Sequence, residues 1–212
     1  MATPNEMRYS KLGPRVVQAL KKRFFDAWYF DDPDQAVDTV FSLIPKDHLV
    51  SWGGSLTAVG LGIFKRLETE GYKTINRDKA ANPEERTQIM RLALTCDTFI
   101  TGSNAITEDG QLINIDAFGN RVAAMCYGPK QVIVVAGMNK VAKTLEDAVS
   151  RARTIASPAN IIRLGFKGAC SETGSCMDCI TPDTCCTYIV RTRQSKPAGR
   201  IKVILIGKDL GL

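Results

Sequence analysis

The chain has 212 residues, of which 44% are hydrophobic, 24% charged and 7% aromatic, with a formal net charge of +6. That length suits one large domain with a core that needs no staples. The charge excludes little by itself, but its only dense cluster, Lys21-Lys22-Arg23, falls in a helical pattern and is no basic stripe, which argues against nucleic-acid binding. No 18-residue apolar run or apolar signal core is present, so a soluble chain in the cytoplasm, with no membrane partner, is expected.

Residues 14–30 carry Val16, Val17, Leu20, Phe24, Ala27 and Trp28 at helical spacing and predict a helix. A second helix is predicted at once. Asp32 stands as a cap before Pro33, Ala36, Val37, Val40, Phe41 and Ile44 form an apolar face, and Pro45 ends it. Residues 1–46 therefore read as a helical segment packed on an α/β domain that occupies 47–212.

From Asp47 onward strands and helices alternate, which argues for a mainly parallel sheet covered by helices. Residues 48–52 read as a strand running into Gly53-Gly54-Ser55-Leu56-Thr57 and then a helix with Val59, Ile63 and Leu67 one turn apart. A small-residue loop of this kind lets backbone N–H groups approach an anion, making Gly53, Gly54, Ser55 and Thr57 candidate ligand contacts. The plain alternative is a tight turn in which Ser55 caps a helix. A second unit follows, with a strand at 72–76, a helix capped by Asn82-Pro83, and a strand at 98–101.

The chain is organised around residues 101–137. Gly102, Ser103 and Asn104 form a small-residue turn, Asp109-Gly110 signals a hairpin, and an apolar run carries Asn114 to Asp116. A glycine turn at Gly119-Asn120-Arg121 precedes VIVVAG, which reads as a strand buried on both faces. Polar side chains thus gather at strand ends, where ligands of open α/β sheets sit. Asp116 and Asp109 are the candidate acid/base groups, with Asn104 and Asn114 as orienting amides, although Asp109 fits an ordinary hairpin equally well. Asn120-Arg121 and Asn139-Lys140 follow glycine turns and offer donors to an anionic ligand. Thr144 to Asp147 reads as a capping box, with Ser157-Pro158 ending its helix, and strands are predicted at 187–192 and 201–206.

Five of the seven cysteines lie close together as Cys170, Cys176, Cys179, Cys185 and Cys186, in a loop at 168–186 kept irregular by Gly168, Gly174 and Pro182. Clustered thiols in a reducing compartment are more often metal ligands than disulfides, and a sulfur site suits Zn²⁺ or an iron–sulfur centre. Reduced thiols without metal, or a disulfide formed on isolation, remain the alternatives. Cys96, Cys126 and the lone His48 read as packing residues.

The run GSNAITEDGQLINIDAFGNRVAAMCYGPKQVIVVAGMNKV, followed by SPANIIRL, the cysteine cluster and RIKVILIGKDLGL, resembles the LUD domain family, named for lactate utilization proteins, from about residue 48 to 212. The resemblance implies a three-layer α/β/α sandwich like that of the sugar-phosphate isomerase and CoA-transferase superfamily, with WGGSLT at its phosphate loop. It also implies a metal or cluster ligand set of Cys170, Cys176, Cys179 and Cys186, with Cys185 added. The chain departs from catalytic members in one respect. Glu108 stands beside a hairpin turn, and no glutamate occupies an evident nucleophile position.

Three roles follow from these readings. The first is an accessory component in oxidation of lactate to pyruvate with iron–sulfur redox partners, which the family implies. The others are an enzyme or sensor for a phosphorylated or carboxylated small molecule, and a structural interaction domain with a cysteine-stapled loop.

Overall fold

A computed structural model describes residues 2–212. In chain order the regular elements are α1 (Pro4–Lys22), β1 (Asp26–Phe30), α2 (Pro33–Ser42), β2 (Leu49–Trp52), α3 (Leu56–Gly60), α4 (Ile63–Thr69) and β3 (Lys73–Ile75). Then come α5 (Pro83–Leu92), β4 (Thr98–Thr101), β5 (Ala105–Thr107), β6 (Leu112–Asp116), α6 (Asn120–Cys126) and β7 (Gln131–Gly137). The chain continues through β8 (Val141–Ala142), α7 (Leu145–Arg151), α8 (Ser157–Leu164), α9 (Ala169–Thr173), β9 (Tyr188–Thr192) and β10 (Ile201–Ile206).

Six strands form the main sheet in the order β1-β10-β7-β4-β2-β3, and every neighbouring pair is parallel. Successive side chains of its central strands alternate between two cores, as the two-residue period of a strand requires. Val132, Val134, Val203 and Leu205 pack with Val16 and Leu20 of α1 and with Ala124 and Met125 of α6. Ile133, Val135, Ile204 and Ile206 pack on the other face with Val37 and Val40 of α2, Ala58 of α3 and Ile63 and Leu67 of α4. The sheet is therefore covered on both faces, the three-layer architecture expected, and the central runs 132–136 and 203–206 are uniformly apolar because both faces are dry.

A second, separate sheet of four short strands, β8-β5-β6-β9, is built from antiparallel β5-β6 and β6-β9 and parallel β5-β8. Ala105, Ile113 and Ile115 bury its face against Ala148 and Ala152. No helix among the described residues is long and apolar enough to cross a membrane.

The predicted helix over 14–30 is corrected by two features. It begins earlier, at a capping box in which Thr3 and Glu6 satisfy each other's backbone N–H groups. It stops at Lys22, because Phe24 adopts a left-handed φ of 63° and turns the chain into β1. Ala27 and Trp28 then face opposite cores from a strand paired to β10, so the segment before residue 47 supplies a strand as well as two helices. Ser157-Pro158 does not end its helix either. A π-helical turn at Ala152–Ala156 carries α7 into α8, and the helix runs on through Pro158, whose missing N–H falls where the hydrogen-bond ladder is already irregular.

The β5-β6 hairpin docks on the end of α1. Gly110, at φ 87°, lies so close that a Cβ there would stand 2.6 Å from the Ala19 carbonyl carbon and the Leu20 nitrogen. Replacing Gly110→Ala adds left-handed strain to a backbone clash and is expected to cost about 3 kcal/mol, measured by urea unfolding. An unchanged midpoint would show that the hairpin and α1 do not pack in this way.

Candidate functional site

The strands of the main sheet run in one direction, so the loops after β2, β4 and β7 meet at one edge. There they border a cleft of about 1100 Å³. Gly54 and Ser55 come from the first loop, Gly102, Ser103 and Asn104 from the second and Lys140 from the third, while Asp116, Gly119, Asn120 and Arg121 enter from the end of β6 and the start of α6. Arg77, Arg86 and Arg91 from the α5 side and Arg163 from α8 complete the wall. Six cations thus line the cleft against one acid, Asp116, among the described residues.

That acid is already engaged. Asp116 Oδ2 accepts from the backbone N–H groups of Arg121 at 2.9 Å and Val122 at 3.1 Å, capping α6, and Oδ1 accepts from Arg121 Nε at 3.3 Å. The Arg121 guanidinium, only 10% exposed, also donates to Asn114 Oδ1 at 2.7 Å, Asn104 Oδ1 at 2.9 Å, the Ile115 carbonyl at 2.8 Å and the Gly102 carbonyl at 3.2 Å. Gly53 makes room for it, since a Cβ there would stand 2.9 Å from Arg121 Cδ. Asp116, Asn104, Asn114 and Arg121, which the sequence puts forward as chemistry, therefore form a buried network that fixes the cleft floor. Asn114 Nδ2 has no partner within it.

Ser55 Oγ accepts from Ala58 N at 3.2 Å and caps α3, while Ser103 Oγ donates to the Ala105 carbonyl at 2.8 Å. Thr57 does not border the cleft. It lies beneath the chain's last residues, donating to the Leu210 carbonyl at 3.3 Å and accepting from Lys140 Nζ at 3.1 Å. Asp109 is not brought to the cleft; it caps the hairpin, paired with Arg23 at 2.5 Å and accepting from Gln111 and Thr107. His48 Nδ1 contacts Thr98 Oγ1 at 2.8 Å, a packing role.

Lys140 is the residue with the most unusual setting. It is only 5% exposed and has no carboxylate partner among the described residues, its one hydrogen bond being to Thr57. Burial, with Arg151 and Arg121 nearby, pulls its pKa down to about 8. The sequence offers Lys140 as a donor after a glycine turn but gives no sign that it is buried unpaired. Arg77 and Arg163 are missed altogether, because nothing in their local patterns marks them and only the fold brings them to the cleft.

The cysteine loop adjoins this wall. Cys185 lines the cleft, and with Cys170 it packs on Ile161 of α8. Cys176, Cys179 and Cys186 are half-buried. The Cys170 thiol is pushed up by burial and further by Cys179, Cys186 and Cys176, so the four share one neighbourhood. Among the described residues no three metal-ligating side chains stand close enough to hold an ion. Burial pushes Cys185 up to about 11 and Cys96 up to about 12, as for inert core thiols.

Arg121→Met would remove the cation beside the buried Asp116 and one donor from each of five acceptors, leaving Asp116 only its backbone N–H partners. It should cost about 3 kcal/mol in urea unfolding. A loss below about 1 kcal/mol would mean that the floor does not depend on this guanidinium.

Comparison with known proteins agrees with the fold. A family model described as "LUD domain" matches residues 14–206. A DUF162 family protein from Deinococcus radiodurans aligns over 93% of this chain and 97% of its own at a TM-score of 0.54 and 10% identity. The 5-methylthioribose 1-phosphate isomerase of Pyrococcus horikoshii aligns over 79% of this chain and 52% of its own at a TM-score of 0.39 and 14% identity. Ribose 5-phosphate isomerase from Plasmodium falciparum aligns over 52% of each at a TM-score of 0.34 and 15% identity. No curated protein matches. A family model spanning nearly the whole of a chain with this architecture leaves one assignment: the protein belongs to the LUD domain family.

Proposed function

We propose that this LUD-domain protein binds a small carboxylate in its cleft, over Lys140, as an accessory component in oxidation of lactate to pyruvate. The observation that carries the reading is a buried ammonium without an acid partner, in a cleft where cations outnumber acids six to one. Keeping an unpaired ammonium out of water costs the empty protein stability, and an anion beside it reverses that cost. Carboxylate is the chemistry that the family's lactate-utilization association supplies.

Taking lactate to pyruvate removes two electrons, and no side chain of the cleft can accept them. The cysteine loop is the part of the chain suited to that need. Cys170, Cys176, Cys179 and Cys186 are free thiols of a kind that suits Zn²⁺ or an iron–sulfur cluster, although no three of them stand close enough to hold an ion here, so the loop would have to draw together around one. A cluster would supply one-electron transfer toward iron–sulfur redox partners, whereas zinc would fix the loop. Iron and sulfide, with visible charge-transfer absorption in protein purified without oxygen or chelator and lost in Cys176→Ser and Cys179→Ser but not Cys96→Ser, would support the electron-transfer role. Zinc, or no metal at all, would remove it and leave carboxylate binding standing alone.

The sign of the pH dependence follows from Lys140. Its folded pKa, about 8, lies below the ordinary 10.5, so the amine loses its charge within an accessible range. A bound carboxylate raises that pKa, binding takes up a proton, and affinity should fall by up to about tenfold per pH unit above pH 8. Lactate or pyruvate should raise the melting temperature at pH 7 where neutral 1,2-propanediol does not, and Lys140→Met should abolish the difference. Carboxylates that leave the wild-type melting temperature unchanged, or stabilise Lys140→Met equally, would sink the reading.

A further inference from the structure

The geometry points to a phosphate-binding subsite formed by Arg77 and Arg163 beside Gly54, so that the cleft takes a ligand carrying a phosphate group beside its carboxylate. The subsite stands on its own cations; that its occupant also bears a carboxylate rests on the reading of Lys140 above.

A Cβ built on Gly54 would lie 3.1 Å from Arg77 Nη2 and 3.7 Å from Arg163 Nη2. The two guanidinium nitrogens therefore stand no more than about 7 Å apart across the open space of a glycine, close enough for one tetrahedral anion to reach both. Neither is neutralised. Arg163 donates through Nε and Nη2 to the uncharged Asn160 Oδ1, at 3.1 and 2.7 Å. Arg77 has Asp78 Oδ1 at a loose 3.9 Å, and Arg86 claims the same oxygen at 3.2 Å. Two guanidiniums thus share one carboxylate, which is itself 58% exposed, and Arg163 has none, so three cations stand against one acid. Arg77 Nε is buried without a hydrogen-bond partner, an unmet donor on the same side chain.

Guanidiniums held this close repel each other unless an anion intervenes, and two forked donors with an excess of two positive charges match a phosphate dianion better than a lone carboxylate. The position also joins the Lys140 region. Ser55 follows Gly54 directly, and a Cβ on Gly102 would lie 3.2 Å from Ser55 Oγ and 3.8 Å from Lys140 Nζ. Ser55 and Lys140 are thus within about 7 Å of each other, and one small molecule can span both charge clusters.

The test is calorimetric titration of the full chain at low ionic strength with inorganic phosphate and, separately, with phosphoglycolate, whose carboxylate lies one carbon from the phosphoester. Arg77→Gln, Arg163→Gln and Gly54→Ala should each weaken inorganic phosphate at least tenfold, the last by placing a methyl group between the guanidiniums. Arg163 is exposed on α8, so its variant keeps the fold and decides the matter if Arg77→Gln does not. Phosphate affinity unchanged in Arg163→Gln and Gly54→Ala would overturn the subsite. Phosphoglycolate should lose affinity in Lys140→Met as well, with inorganic phosphate unaffected there. Loss in the arginine variants together with indifference to Lys140→Met would uphold the phosphate subsite and refute the carboxylate reading separately.

Discussion

A guanidinium buried beneath a cleft has five N–H groups to satisfy, and Arg121 meets that demand with five acceptors drawn from separate parts of the chain. The Gly102 carbonyl and Asn104 follow β4, Asn114, Ile115 and Asp116 belong to β6, and Arg121 itself opens α6. One side chain therefore ties the small sheet to the end of a main-sheet strand. The parallel sheet brings its loops to one edge, but it does not fix how the β5-β6 hairpin sits against them; this network does. Asp116 matters most in it, since it is the one charged acceptor and also caps α6. Its full engagement makes it a positioning group before any chemistry.

The same edge is strained electrostatically. Arg121 is compensated by Asp116, whereas Lys140, Arg77 and Arg163 have no carboxylate at hydrogen-bonding distance. Repulsion among these groups works against the core gained from two apolar sheet faces. A protein needs only a few kcal/mol of net stability, so an excess of cations at one cleft is tolerable where an anionic ligand recovers the difference. This is why the imbalance, more than any single residue, directs the functional reading.

Much of this framework is legible in the sequence because its signals are local. The β-branched run of β7, the Asn82-Pro83 cap and the Thr144 to Asp147 box each specify their element through neighbouring residues, and all three form. β1 escaped because Phe24, Ala27 and Trp28 satisfy a helical period by coincidence, and because the left-handed turn ending α1 falls on Phe24, a residue that carries no turn signal. Asp109 and Asp116 look alike along the chain, each close before a glycine turn. They differ only in which end of the hairpin they occupy, and that is decided by strand pairing. Arg77 and Arg163 are a case where local reading has no purchase: they are 86 positions apart in the chain and meet only because the turn after β3 and the helix α8 both approach Gly54 in the loop after β2.

The helix through α7, the π-helical turn and α8 connects the two regions that bear chemistry. Arg151 donates to the Asn104 carbonyl at 2.5 Å and the Asn139 carbonyl at 3.0 Å, fixing two cleft loops. Two residues on, inside the π-helical turn, Arg153 pairs with Asp178 and lies 3.9 Å from Cys176 Sγ, on the cysteine loop. Further along, Ile161 packs on Cys170 and Cys185, and Arg163 reaches the cleft wall. An unbroken α-helix repeats its faces every 3.6 residues, whereas a π-turn adds a residue and shifts them. That shift lets one helix address the cleft floor, the cysteine loop and the cleft wall in turn. The cysteine loop and the cleft wall thus rest on one helix, the first through Ile161 and the second through Arg163, two residues further on.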